Sequence, residues 1–372
     1  MKQLFFLGPG KLRFQDVPKP ELGSPRDALV RPIAVARCDL DAAFMAKPMG
    51  QGLRGVLASH VCDPVGFAIS GKPIYAPPFP VGHECIAEVL SLGEAVRHVQ
   101  PGQLVVVPFQ VACGECSRCR RGFTSRCEAS DLPVNNYGFG PGAHRYGGML
   151  TDVVRVPYAD FMLVPLPAGV DPVAVASASD NLPDAYRAVV GPLREHPGAP
   201  VLIMGGNAQS VGLYAAAMAR ALGATEVDYC DSDPARLAIA ERLGARALEA
   251  PRRGRLGRYG ALPRKYLIGV DASSDLQGRG LELVLRSLDP GGVCTSVGIY
   301  PLHRTPVPLT QMYLNGLTLR TGITNARPLI PHVLSLVAEA KLDLRPINTL
   351  VAPWADAPEA LTSPTAKVII TR

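Results

Sequence analysis

The chain has 372 residues, 47% of them hydrophobic and 19% charged, a balance that excludes a disordered tail and allows large cores to be buried. Its 37 glycines and 36 prolines follow no three-residue period, which excludes collagen and leaves a loop-rich globular protein. A net charge of +6, from 38 basic and 32 acidic residues, is too weak over this length to argue for nucleic acid or a membrane as partner.

Near the start, Leu4-Phe5-Phe6-Leu7 is broken at once by Gly8-Pro9-Gly10. That stretch is too short for a signal peptide, and no apolar run approaches the roughly 18 residues that span a bilayer, so a cytoplasmic protein is expected. The run Ile33-Ala34-Val35-Ala36 reads as a strand ending at Cys38-Asp39-Leu40-Asp41. After a long glycine- and proline-rich segment comes Val81-Gly82-His83-Glu84-Cys85. A cysteine at a strand end, a Gly-His-Glu turn and a third ligand are the parts of an open zinc site, with three protein ligands and one exchangeable position. An ordinary packed histidine is the competing reading.

Cys113, Cys116, Cys119 and Cys127 have the spacing C-x2-C-x2-C-x7-C. Four thiolates on so short a loop can close a tetrahedron around zinc, which makes a structural site. The set sums to a charge of −2, and Arg118, Arg120, Arg121 and Arg126 lie among the ligands to offset it. An iron–sulfur cluster is the chemical rival, but the bacterial ferredoxin run places a fourth cysteine where this chain has Phe123.

From Ala199 the run Ala-Pro-Val-Leu-Ile-Met reads as a buried strand, followed by Gly205-Gly206-Asn207-Ala208-Gln209-Ser210-Val211-Gly212 and a helix from Leu213 to Leu222. A strand, a glycine turn and a helix N-terminus make a site for a pyrophosphate. The G-x-G-x-x-G pattern is not intact. Asn207 and Gln209 stand where the first two glycines belong, and Gly205 and Gly206 lie just upstream, so the turn is expected to be shifted.

Asp231 ends the next strand nineteen residues beyond Gly212, where an acid grips the adenosine ribose and repels the extra phosphate of NADP. NAD(H) is therefore favoured over NADP(H). Arg236 is the counter-indication, because a basic residue in this loop can accept that phosphate, and a turn role for Asp231 in Asp-Ser-Asp-Pro is the alternative. Further elements are a helix from Pro234 through Leu243, a strand at Ile268 and a helix from Leu281 to Leu288. A turn at Asp289-Pro290-Gly291-Gly292 leads into a strand from Val293 to Gly298. The basic stretch from Arg252 to Arg258 reads as a solvated connection. A helix from Leu329 to Leu342 and a closing strand, Lys367 to Arg372, complete the chain.

Taken together, Val17-Pro18-Lys19-Pro20-Glu21, Cys38-x-x-Asp41, Gly82-His83-Glu84 with Gly93 and Val96, and the four-cysteine lobe resemble the zinc-containing medium-chain dehydrogenase/reductases, the alcohol dehydrogenase superfamily. The family's zinc signature usually has a second glycine where this chain has Ala87. The resemblance implies an α/β protein, with a Rossmann-type doubly wound parallel sheet and a mainly β, GroES-like catalytic domain built from both chain ends. Its expected bounds are 1–178, with the zinc lobe at about 108–130, then 179–320 for the dinucleotide-binding domain, and 321–372 for the return.

By the family's pattern Cys38 and His83 are catalytic zinc ligands, Glu84 touches or tunes the metal, and Asp41 holds the other ring nitrogen of His83. The third ligand falls on Asp180, for which a helix N-cap is the competing role. Val297 and Gly298 would approach the nicotinamide. The implied enzyme carries two zincs per chain and interconverts an alcohol with its aldehyde or ketone, and a homodimer or homotetramer is expected.

Two departures bear on function. Cys38 and His83 are 45 residues apart, more than relatives commonly need, and the surplus within Ala42–Val81 is expected either to overhang the substrate or to be a surface excursion or oligomer contact. His60 and Cys62 in it read as packing residues. Leu40 stands where much of the family has a proton-relaying hydroxyl, leaving Asp39, Asp184 and Tyr186 as candidates. The same loss accompanies 1,4-reduction of conjugated alkenes in some relatives, so an enone or iminium reductase is the alternative. A non-catalytic nucleotide-binding descendant is the third.

Overall fold

The computed structural model describes residues 1–45, 77–132, 135–252, 254, 259–300 and 304–372. Most of the Ala42–Val81 segment, with His60 and Cys62, lies outside the described residues, as does most of the basic stretch from Arg253 to Arg258. Among the described residues no helix is long and apolar enough to cross a membrane.

The chain divides into two compact units. The first comprises Met1–Pro183, Thr324–Ala338 and Asn348–Arg372; the second comprises Asp184–Ile323 and Glu339–Ile347. Glu339–Ile347, expected in the return segment, therefore belongs with the second unit.

The first unit opens with β1 (Lys2–Gly8), β2 (Lys11–Asp16), β3 (Ala28–Ala36), β4 (Phe79–Pro80), β5 (Glu84–Leu92), β6 (Leu104–Val107), β7 (Val154–Val156) and β8 (Val164–Pro165). Its core includes Leu4, Phe6, Val30, Val35, Phe79 and Val105, all withdrawn from water. Each such side chain contributes about 1.5–3 kcal/mol relative to exposure. The antiparallel register Ala36↔Glu84 between β3 and β5 fixes the site. Cys38 lies two residues past Ala36 and His83 one residue before Glu84, so the same end of the sheet brings them side by side.

In the second unit, strands β9 (Val201–Met204), β10 (Val227–Asp231), β11 (Arg246–Glu249), β12 (Tyr266–Asp271), β13 (Leu288–Ser296) and β14 (Thr318–Arg320) form one parallel sheet. Its spatial order is β11-β10-β9-β12-β13-β14, the doubly wound order of dinucleotide-binding folds. All four residues of β9 are buried, as a central parallel strand covered on both faces requires.

Helix Pro234–Arg242 starts where Asp233 Oδ1 accepts the backbone N–H groups of Ala235 and Arg236 and proline occupies the first turn. The turn expected at Asp289–Gly292 is an excursion inside β13: Tyr266 pairs with Leu288 but Ile268 with Val293.

The chain then returns to the first unit with β15 (Leu350–Pro353) and β16 (Val368–Thr371). Strand β16 pairs antiparallel with β3 through Ile369↔Ala36, which carries Lys367 to the same end of the sheet as Cys38 and His83.

Candidate functional site

Three ligand atoms, one each from Cys38, His83 and Asp180, lie within 4.8 Å of one another. Asp180 Oδ2 is 3.5 Å from Cys38 Sγ and 3.4 Å from His83 Nε2, so its carboxylate points at the other two. Gly82 has φ +92°, a conformation open to glycine, and sets the direction in which His83 leaves the backbone. The imidazole has two aromatic neighbours, Phe109 at 5.6 Å and Phe139 at 5.0 Å between centroids.

The donor set fits a metal ion. Both ring nitrogens of His83 are buried without a hydrogen-bond partner, a state that costs about 1–3 kcal/mol per polar group unless something else satisfies it. Burial, and then the carboxylates of Asp180, Glu84, Asp41 and Asp39, push the Cys38 thiol well above its ordinary pKa. A divalent cation held by Cys38, His83 and Asp180 would give the imidazole a partner and would favour the thiolate. Asp41 Oδ2 lies 3.5 Å from His83 Nδ1, on the side away from Asp180.

Glu84 is engaged elsewhere. Its Oε2 accepts from Lys367 Nζ at 2.6 Å and from Ser177 Oγ at 3.0 Å, and its Oε1 accepts from the Asn181 N–H at 2.9 Å. Of the two roles expected for it, the geometry favours tuning over direct contact, because the carboxylate ties together the segments that carry His83 and Asp180. Lys367, Ser177 and Asn181 carry no sequence signal for this role. A single lysine before the apolar run Val368-Ile369-Ile370 ordinarily reads as a solvated strand end.

In the lobe, one sulfur from each of Cys113, Cys116, Cys119 and Cys127 falls within 4.8 Å of the others. No disulfide joins them. The backbone N–H groups of Cys113, Glu115, Cys116, Cys119 and Glu128 point at these sulfurs from 3.3–3.4 Å, a shell that stabilises thiolates. Four sulfurs with no other ligand type suit a closed zinc site.

In the second unit the glycine turn is shifted upstream, and the reason is steric. A Cβ on Gly205 would stand 2.3 Å from Asp231 Oδ2, and one on Gly206 would stand 2.7 Å from the Ser273 Cα. Gly206 also has φ +154°. Ser210, Val211 and Gly212 lie in the first turn and a half of helix Gln209–Ala221, and Gly212 packs against Ala272 and Tyr229. The N–H groups of Asn207 and Ala208 are already given to the carbonyls of Ser273 and Ala272.

Asp231 is buried at the end of β10, and Arg236 grips it with Nε and Nη2, each at 2.7 Å. Tyr229 Oη and the N–H groups of Ser232 and Asp233 also donate to it. The expected acid and its expected counter-indication are thus one ion pair. Val297 is bonded through its N–H to the Asp271 carbonyl, and Gly298 follows it beside Tyr300 and Ser274.

Residues 24–168 match the alcohol dehydrogenase GroES-like domain, and residues 210–339 match the zinc-binding dehydrogenase family. The chain is 34% identical over 249 residues to a glutathione-independent formaldehyde dehydrogenase of Pseudomonas aeruginosa. That match covers 64% of this chain and 56% of the relative, so it spans little more than half of the relative's length. A glutathione-independent formaldehyde dehydrogenase of Bacillus subtilis is 30% identical over 331 residues, covering 82% of this chain and 76% of that protein. Among solved structures, an alcohol dehydrogenase from Thermus sp. ATN1 superposes with a TM-score of 0.80 at 28% identity, covering 100% of this chain and 99% of that one.

Proposed function

The chain belongs to the medium-chain dehydrogenase/reductase family, and on that premise we propose that it exchanges hydride between a nicotinamide dinucleotide and a small alcohol, aldehyde or ketone. The observation that carries this reading is the convergence of Cys38, His83 and Asp180 around one point, with His83 Nε2 buried and unsatisfied. Zinc held there supplies Lewis acidity toward a substrate oxygen, and the dinucleotide supplies or accepts the hydride.

The chain's own residues do the remaining work. Asp41 faces His83 Nδ1 and orients the ring. Phe109 and Phe139 pack beside the imidazole, which is withdrawn from water. Glu84, with Lys367, fixes the two ligand segments against each other. The adenosine ribose is assigned to Asp231, with NAD(H) preferred, and the second zinc of the chain to the four-cysteine lobe.

Leu40 favours a second reading, a 1,4-reductase of a conjugated alkene or a reductase of an iminium. Its side chain packs against the core and carries no proton. Asp184, a substitute donor by sequence, is bound to Arg187 Nε at 2.5 Å. One conjugated aldehyde offered with NADH separates the two: the allylic alcohol is expected, and the saturated aldehyde would establish the second reading instead. Absence of hydride transfer across a broad carbonyl panel, with NADH bound, overturns both.

A further inference from the structure

Arg37 immediately precedes the ligand Cys38, and its side chain is only 2% exposed. Nη1 donates to the carbonyl oxygens of Leu361 at 2.9 Å and Ser363 at 2.5 Å, and Nη2 to that of Thr365 at 2.5 Å. The backbone N–H of Arg37 donates to the Val368 carbonyl at 2.9 Å. Each of these acceptors is a neutral carbonyl.

Burying a guanidinium is costly, and neutral carbonyls offset its charge only in part. The charge therefore calls for another explanation. Among the described residues, Arg37 and Lys367 are the arginine and lysine that are buried, Arg37 within electrostatic reach of Asp39, Asp41 and Cys38 and Lys367 bonded to Glu84. The cluster around Cys38 holds the buried acids Asp39, Asp41, Glu84 and Asp180 and the Cys38 thiol.

The turn gripped by Arg37 also leads to Lys367. Thr365 Oγ1 donates to Thr349 Oγ1, which in turn donates to the Lys367 carbonyl and accepts its N–H. Lys367 Nζ then reaches Glu84, and Glu84 holds the N–H of Asn181, next to Asp180. A circuit of hydrogen bonds thus begins beside one ligand and closes beside another.

We propose that Arg37 is a positioning residue of the Cys38–His83–Asp180 metal site, holding turn 361–365 so that Lys367 and Glu84 keep the ligand segments in register. This rests on the reading of that cluster as a metal site and adds a residue to it. Together with Lys367, Arg37 also supplies the positive charge that lets several buried acids surround one cation.

The test is metal retention in the full-length chain carrying Arg37→Met or Arg37→Lys. Zinc release to a chromogenic chelator should be biphasic, with the lobe metal as internal control. Arg37→Met should release the Cys38–His83–Asp180 metal at least tenfold faster, leave lobe release unchanged, and lower kcat without changing the KM for the dinucleotide. Arg37→Lys keeps the charge but cannot span three carbonyls, and should fall between; it carries the test alone if the methionine variant does not fold. Wild-type release from both sites, or acceleration of both sites together, overturns the proposal. If the unaltered chain holds one zinc, retained in Cys38→Ser and lost in Cys116→Ser, the reading of the cluster itself fails.

Discussion

Glu84 Oε2 and Lys367 Nζ stand 2.6 Å apart with no exposed surface on either side chain, although 283 positions separate them in sequence. Removing one member of such a pair leaves a buried charge uncompensated and costs about 3–5 kcal/mol, whereas replacing both by uncharged groups of similar volume is often nearly neutral. Lys367→Met should therefore lower the urea midpoint of the first unit sharply, and adding Glu84→Gln should restore much of the loss. A double variant whose loss equals the sum of the losses in Lys367→Met and Glu84→Gln would show that the pair is not coupled.

Two zincs per chain are expected by metal analysis. Asp180→Asn or Cys38→Ser should leave one, with the fold retained. Cys116→Ser should leave the other and destabilise the lobe, because a closed four-thiolate site contributes directly to folding. A chain that keeps both zincs in Asp180→Asn would remove Asp180 from the ligand set.

Asp231→Ala should raise the KM for NAD and improve the relative use of NADP, since it also releases Arg236 from its bidentate pair. Loss of a charged hydrogen bond, about 1.5–3 kcal/mol, corresponds to roughly ten- to a hundredfold. Steady-state kinetics with both cofactors check it. An untouched preference would move the ribose acid elsewhere.

Asp160, which belongs to neither metal cluster, gives a pH prediction. Partial burial raises its pKa, but the N–H groups of His98 and Arg97 outweigh it and hold the carboxyl below its ordinary value. A depressed carboxylate stabilises the fold above the unfolded-state pKa, and that stability is lost as pH falls through the folded-state value. Asp160→Asn should thus cost roughly 0.5 kcal/mol at pH 7, a figure discounted for solvent screening. The difference from the parent should vanish in acid, below the ordinary carboxylate range. A deficit that persists at low pH would assign the effect to packing.

The parts of the site legible in the sequence are those whose chemistry is local or whose residue types are scarce. The four-cysteine lobe spells out its candidate ligands within fifteen residues, whereas the roles given to Cys38, His83 and Asp180 rest on the resemblance to the dehydrogenase family. Arg37 and Lys367 were not legible. Their partners lie hundreds of positions away, and an arginine or lysine at a strand end is ordinarily exposed. The upstream shift of the glycine turn was visible as a broken motif. Its cause, the packing of Gly205 against Asp231 and Tyr229, needed the third dimension.

The long span between Glu84 and Lys367 also sets an order of events during synthesis. The lobe's four thiols emerge together and can capture zinc as soon as Cys127 is made. The other cluster has all three of its proposed ligands once Asp180 is made, yet its supporting ion pair closes only when Lys367 arrives. At about 5–20 residues per second, roughly 15–60 s separate the synthesis of Glu84 from that of Lys367. If both clusters hold zinc, a nascent chain would complete its first ligand set early and lock the second late.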